Sequence, residues 1–257
     1  MTGLAKKIVK LFPLSDVHLE KGVWVTLKNV GQADVAILAG DIGNPFKANY
    51  SRFLSNISKE FKDVILISGN HEYWDESCRV SMDEVECQTR EVVGGFPNVH
   101  YLQKGELRLG GLRYLGCTLW APPDPHLMPV SGDRLFIEGM SYERCIQLYE
   151  DHRDWLKGKL EETCDLKTVV VTHHMPSFRM CHPKYREHRM RSFFASNLEE
   201  LIPLADLWVC GHSHTAMRET FGGTVCLSNP FGYINEDETG FDEKLVVAIP
   251  IDDPATK

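Results

Sequence analysis

The chain has no Cys-x-x-Cys pair; its eight cysteines stand singly at 78, 87, 117, 145, 164, 181, 210 and 226. That excludes a zinc knuckle and argues against a disulfide framework, and it fits buried thiols in a reducing cytosol. No apolar run approaches the roughly 18 residues of a membrane span. The opening stretch lacks a signal-peptide layout, because Lys10 and Pro13 break its apolar run. A cytoplasmic protein without membrane contact is therefore expected. There is no internal repeat, low-complexity tract or linker, so 1–257 is expected to form one domain. Basic residues are in deficit, with 28 Lys+Arg against 36 Asp+Glu and a net charge of -8. That disfavours nucleic acid as the partner and leaves room for a small anionic substrate at a local basic or metallic site.

What is present is a repeated local pattern. Five short apolar runs each end in a polar cluster. Ile8 to Leu14 leads to "SDVHLE", Asp34 to Ala39 to "GDIGN", and Val64 to Ser68 to "GNHEYW". Thr168 to Thr172 leads to "HHMPS", and Leu207 to Cys210 to "GHSH". The runs are too short for helices and read as strands buried on both faces. Helical spacing lies between them at Asn49–Phe61, Cys78–Val93 and Tyr142–Leu160. The last carries Ile146, Tyr149, Arg153, Leu156 and Leu160 on one face, with Ser141 as N-cap. Val99–Leu102, Leu107–Leu109, Leu112–Leu115 and Leu245–Ile251 read as further strands, and Gly110-Gly111 and Gly222-Gly223 as hairpin turns. The pattern predicts a layered α/β fold with two sheets.

The polar residues at the strand ends are Asp16, His18, Asp41, Asn70, His71, His173, His212 and His214. In an α/β fold, loops at strand carboxyl ends are the usual place for a site. Imidazole, carboxylate and amide oxygen without thiolate suit Mn, Fe, Zn, Co or Ni. Seven such ligands are too many for one tetrahedral ion and suit two ions sharing a carboxylate. Each fragment alone is weak. "HEYWD" is not the His-Glu-x-x-His protease motif, since position 75 is Asp, and "GHSH" is not a Gly-x-Ser-x-Gly elbow.

Taken in order, Asp16-Val17-His18, Gly40-Asp41, Gly69-Asn70-His71, His173 and Gly211-His212-Ser213-His214 resemble the calcineurin-like metallophosphoesterases, in the branch of small bacterial-type enzymes. The resemblance spans residues 8 to 214 and extends to "NPFGY" at 229–233. It implies a four-layer α-β-β-α sandwich with two mixed sheets. It implies that Asp16, His18 and His214 hold one metal, that Asn70, His173 and His212 hold the other, and that Asp41 bridges. It implies two divalent ions, manganese favoured, that orient a phosphate and activate a water for in-line attack. His71 would be the catalytic residue that protonates the leaving oxygen; the plainer reading is a histidine that only hydrogen-bonds a neighbour. His174 fits a supporting role better than a ligand role.

One departure narrows the activity. Protein phosphatases of this superfamily carry Gly-Asp-x-x-Asp-Arg-Gly, whereas this chain reads Gly40-Asp41-Ile42-Gly43-Asn44-Pro45 and has no such arginine. The expectation is a phosphodiesterase acting on a small or nucleotide-like phosphate ester. A phosphomonoesterase or protein phosphatase is the alternative, and a non-catalytic scaffold is disfavoured because no ligand position is substituted. Between Ser177 and Arg191 the chain carries Arg179, Lys184, Arg186, Arg189 and Arg191 against Glu187 alone. Arg179, Tyr185, Arg186 and Arg189 are candidate substrate contacts, weighed against a solvated basic loop. Ala121 to His126 is a stiff loop that could wall the cleft, and Trp74 and Tyr73 could stack on a leaving group or pack in the core.

Overall fold

Strands rich in Val, Ile and Leu need cover on both faces, and the computed structural model supplies it. It describes residues 6–22, 25–236 and 239–252; the reading of the N-terminus falls in part on residues 1–5, outside the described residues. Strands β1 (Lys6–Leu14), β2 (Val35–Ala39), β3 (Asp63–Ile67) and β4 (Val99–Tyr101) run parallel in a first sheet. Strands β5 (Gly105–Leu109), β6 (Leu112–Cys117), β7 (Lys167–Thr172), β8 (Leu207–Cys210), β9 (Met217–Phe221) and β10 (Thr224–Ser228) form a second. Strand β11 (Val247–Asp252) returns antiparallel to β1. The orders are β11-β1-β2-β3-β4 and β5-β6-β7-β8-β10-β9. Both sheets are mixed, with antiparallel strands at their edges.

Alternation along each strand explains the layers. Ile37 and Ile65 of the first sheet meet Tyr114, Val169 and Val209 of the second in one core between the sheets. Ala36 and Leu38 point the other way, onto Phe53, Leu54 and Ile57 of helix α1 (Ala48–Glu60). Helix α2 (Met82–Val93) adds Val93 to that layer. A short α3 (Gly132–Phe136) precedes α4 (Tyr142–Glu161), and Leu156 and Leu160 of α4 cover Val170 and Trp208 on the outer face of the second sheet. Helix α5 (Arg191–Phe194) lies in the β7–β8 connection. The result is helix, sheet, sheet, helix.

Two helices differ from expectation. Ser81 caps α2, accepting from Glu84 N while Glu84 bonds back, so the helix starts at Met82 rather than Cys78. Residues 75–79 instead close on the Asp75 carboxylate, which accepts from Ser77 N and Arg79 N. Helix α4 is capped by Ser141 as expected. Its buried stripe, however, is Cys145, Leu148, His152, Leu156 and Leu160, one residue out of phase at its N-terminal half. His152 is buried because its Nδ1 accepts from Leu119 N at 3.1 Å, a tertiary bond that hydrophobic periodicity does not report.

Candidate metal centre

The carboxyl ends of β1, β2, β3, β7 and β8 open toward one point, and the five motifs meet there. The approach is tight. A Cβ on Gly69 would collide with Asp41 Oδ1 and lie 2.8 Å from the His173 ring, and one on Gly211 would lie 2.8 Å from Asp16 Oδ2, so the glycines before Asn70 and His212 let the two sheets close. Asp16, His18, Asp41, His212 and His214 all have positive φ, from 47° to 74°. Such backbone costs about 1–3 kcal/mol per residue and persists where surroundings enforce it. It also sets the directions of the His-x-His pair. With both histidines left-handed, His212 and His214 diverge to different partners.

One cluster is Asp16, His18 and His214. His18 Nε2 and His214 Nε2 are 2.9 Å apart, and His214 Nε2 is 3.5 Å from Asp16 Oδ1. The far side of each ring meets a carboxylate, His18 Nδ1 at 2.9 Å from Glu20 and His214 Nδ1 at 2.6 Å from Glu236. The second cluster is Asp41, Asn70, His173 and His212. His173 Nε2 is 3.1 Å from Asn70 Oδ1, 3.1 Å from His212 Nδ1 and 3.2 Å from Asp41 Oδ2. His18 Nε2 is 3.8 Å from that same Asp41 Oδ2, so one oxygen stands between the clusters.

The tautomers follow from the outer bonds. His173 Nδ1 meets Ala39 O at 2.8 Å and His212 Nε2 meets Phe193 O at 3.1 Å. A carbonyl only accepts, so those nitrogens carry the protons. In the neutral rings the inner nitrogens then point lone pairs at each other and at carboxylate and amide oxygens. Positive charge must sit among them. Within the chain's own charges, a proton on one imidazole of each cluster can supply it. Burial lowers His173, but Asp41 outweighs that and holds it up to about 10. Burial lowers His214 too, and Asp16 and Glu236 raise it to about 9. The other rings of the second cluster's surroundings go down: burial pushes His212 well below the usual range and His174 to about 3. Each cluster brings together donors that could hold a metal ion, and these donors suit a divalent one.

His71 lies beside the clusters. Its backbone N donates to Asp41 Oδ1 at 2.8 Å, its Nδ1 is 3.1 Å from Glu20 Oε1, and its ring stacks on Trp74 with centroids 3.6 Å apart. Burial lowers its pKa, yet Asp41 and Glu20 leave it raised. Glu72 accepts from the backbone N of Asp41, Ile42, Gly43 and Gly69, and so shapes the turn that carries Asp41.

A cavity of about 370 Å³ opens on these groups. Trp74, Tyr185, Phe193, Phe194 and Tyr233 line it together with Asp133, Glu236 and Ser213. Of the four candidate substrate contacts only Tyr185 is on the lining. Arg179 pairs with Glu219 at 2.9 Å and lies over the Phe221 ring. Arg186 donates to Cys181 O, and Arg189 grips Asp124 at 2.7 Å. The loop from Ala121 to His126 supplies that aspartate rather than lining residues; Val130 to Asp133, further along, form the wall. Tyr73 is core, whereas Trp74 faces the cavity. Glu20, Asp133, Tyr233 and Glu236 were not candidates from sequence. Each acts through a partner distant in the chain or through a ring face, and isolated acids and a tyrosine carry no spacing signal.

Comparison with known proteins agrees with this geometry. Residues 10–216 match the family model for calcineurin-like phosphoesterases. An uncharacterized protein of Acanthamoeba polyphaga mimivirus is 23% identical over 254 residues, covering 87% of this chain and 91% of its own. Among solved structures, the phosphopantetheinyl hydrolase of Mycobacterium tuberculosis superposes with a TM-score of 0.64 at 16% identity, covering 87% of this chain and 89% of its own. A protein of Thermus thermophilus superposes at 0.51 with 12% identity, over 87% and 90% of the two chains. At these identities the structural likeness is one of fold.

Proposed function

The chain belongs to the calcineurin-like phosphoesterase family, and from that premise we propose that it is a phosphodiesterase for small or nucleotide-like substrates, working with two divalent ions, manganese favoured. Phosphoester hydrolysis is the family's general chemistry. The diester preference rests on one observation: among the described residues, no lysine or arginine lines the cavity. A monoester dianion left with only the metals for charge would face Asp133 and Glu236. A monoanionic diester carries less charge into that setting, and the aromatic rings suit its organic groups.

In this reading Asp16, His18 and His214 would hold one ion and Asn70, His173 and His212 the other, with Asp41 shared. The ions would supply charge on the phosphoryl oxygens and a lowered pKa for a water. The chain's own residues do the rest. Glu20 accepts from His71 Nδ1 and so leaves Nε2 as the working nitrogen. Held with its proton by Asp41 and Glu20, His71 donates to the leaving alkoxide as general acid. Trp74, stacked on the ring, prevents it from turning away. A reducing compartment such as the cytoplasm is supported by the eight cysteines, all free. Among the described residues no helix is long and apolar enough to cross a membrane.

The test is a metal-reconstituted panel with metal content measured on the same sample. Bis-p-nitrophenyl phosphate should be turned over at least as well as p-nitrophenyl phosphate. A strong monoester preference would overturn the diesterase reading, and a single bound ion would overturn the two-metal reading.

A further inference from the structure

The cavity holds a carboxylate that hydrolysis as described leaves half used. Asp133 lies in α3, within the connection between β6 and α4, and lines the cavity. Its Oδ1 accepts from Asn70 Nδ2 and from Trp74 Nε1, each at 2.8 Å. Both donors are fixed. Asn70 has its oxygen turned to His173, and an indole N–H only donates. Oδ1 is therefore pinned, while Oδ2 has no hydrogen-bond partner among the described residues. Ser213 Oγ, on the same lining, is shielded from solvent and also lacks a partner. No lysine or arginine of the described lining competes for either.

We propose that Asp133 is a substrate-binding residue whose free Oδ2 takes a proton-donating group, hydroxyl or ammonium, on the alcohol of a phosphodiester. The inference rests on the phosphodiesterase reading and narrows it. Trp74 joins Asp133 to His71, bonded to one and stacked on the other, so Oδ2 serves the side on which the leaving alcohol is protonated. A polyol fits the lining best. The hydroxyls of Ser131, Ser213 and Tyr233 both donate and accept, and so can share further hydroxyls of the same group.

The experiment uses metal-replete protein and three methyl phosphodiesters, the glyceryl, the 2-aminoethyl and the propyl, with alcohol release read by mass spectrometry. The glyceryl or aminoethyl ester should exceed the propyl ester in kcat/KM by at least about tenfold, as expected where a polar site group is left unpaired by the plain analogue. The better of the two tells hydroxyl from ammonium. Asp133→Asn keeps an oxygen toward Asn70 and Trp74 and places an amide N–H where Oδ2 stood. With both metals retained, the preference should fall at least about fivefold as the charge-assisted bond is lost. Equal rates on the three esters in the wild type, or an undiminished preference in Asp133→Asn, would overturn the proposal. Failure on every diester, bis-p-nitrophenyl phosphate included, alongside turnover of p-nitrophenyl phosphate, would strike the diesterase reading instead.

Discussion

The proposed ligands at the strand ends and the basic segment from Ser177 to Arg191 differ in what fixes each side chain. Every ligand hangs from a strand terminus or the turn after it, and its far side is bonded to a second group, as His173 is to Ala39 O and His214 to Glu236. The arginines sit on a connection of short turns and take whichever acid lies near, Arg179 and Arg186 reaching Glu219 and Arg189 reaching Asp124. Position relative to a strand converts sequence spacing into geometry. Local richness in charge does not, because a long side chain on a loop chooses its partner in three dimensions.

Perturbing the ligands should therefore do far more than perturbing the arginines, beginning with the carboxylate between the clusters. Asp41→Asn should release metal from both and lower turnover on the order of a thousandfold or more, by elemental analysis and kinetics together. Full metal occupancy with normal turnover would remove Asp41 from the bridging position. Next, His71→Ala should keep both ions and slow hydrolysis by roughly a hundred- to ten-thousandfold, with a smaller loss on p-nitrophenyl esters, whose leaving group needs no proton. An equal loss across leaving groups would reassign His71 to holding the phosphate.

Glu20→Ala should cost about ten- to a hundredfold in metal affinity or turnover, because it removes the partner of both His18 and His71. Glu20→Gln should recover part of that, since its amide oxygen can accept from the same nitrogens. No difference between the two variants would show that the oxygen's position is immaterial. Smallest of all, Arg189→Ala should cost under about 1 kcal/mol of stability in denaturant titration, as expected for a pair whose arginine is 60% exposed. Its KM for a nucleotide-like diester should move less than about twofold. A tenfold rise would bring the arginines back to the substrate and dissolve the contrast.

Much of the fold was legible because parallel strands buried on both faces write themselves as apolar runs, and the glycine-bounded motifs mark where those runs end. The convergence of the proposed ligands was legible for the same reason: each sits one to four residues past a run. Less legible were features set by packing across the chain. The phase of α4 depends on His152 bonding Leu119, and the wall of the cavity comes from Val130 to Asp133 rather than the proline-rich stretch before it. Glu20, Asp133 and Glu236 are ordinary acids in sequence and acquire roles only through the histidines, amide and indole they face.

The left-handed backbone at the ligand positions sets the interests of the fold against those of the site. At His214, φ is 47° and the side chain is largely shielded, beside another imidazole it has no reason to approach except to share a cation. Glycine there would relax the backbone and remove one of the two rings. In chelator-treated protein, His214→Gly trades about 1–3 kcal/mol of backbone strain against the lost contacts with Asp16 and Glu236, so its melting temperature is expected to stay close to the parent's while the activity is lost altogether. Selection for heat resistance alone would then have little hold on a residue that the proposed chemistry needs.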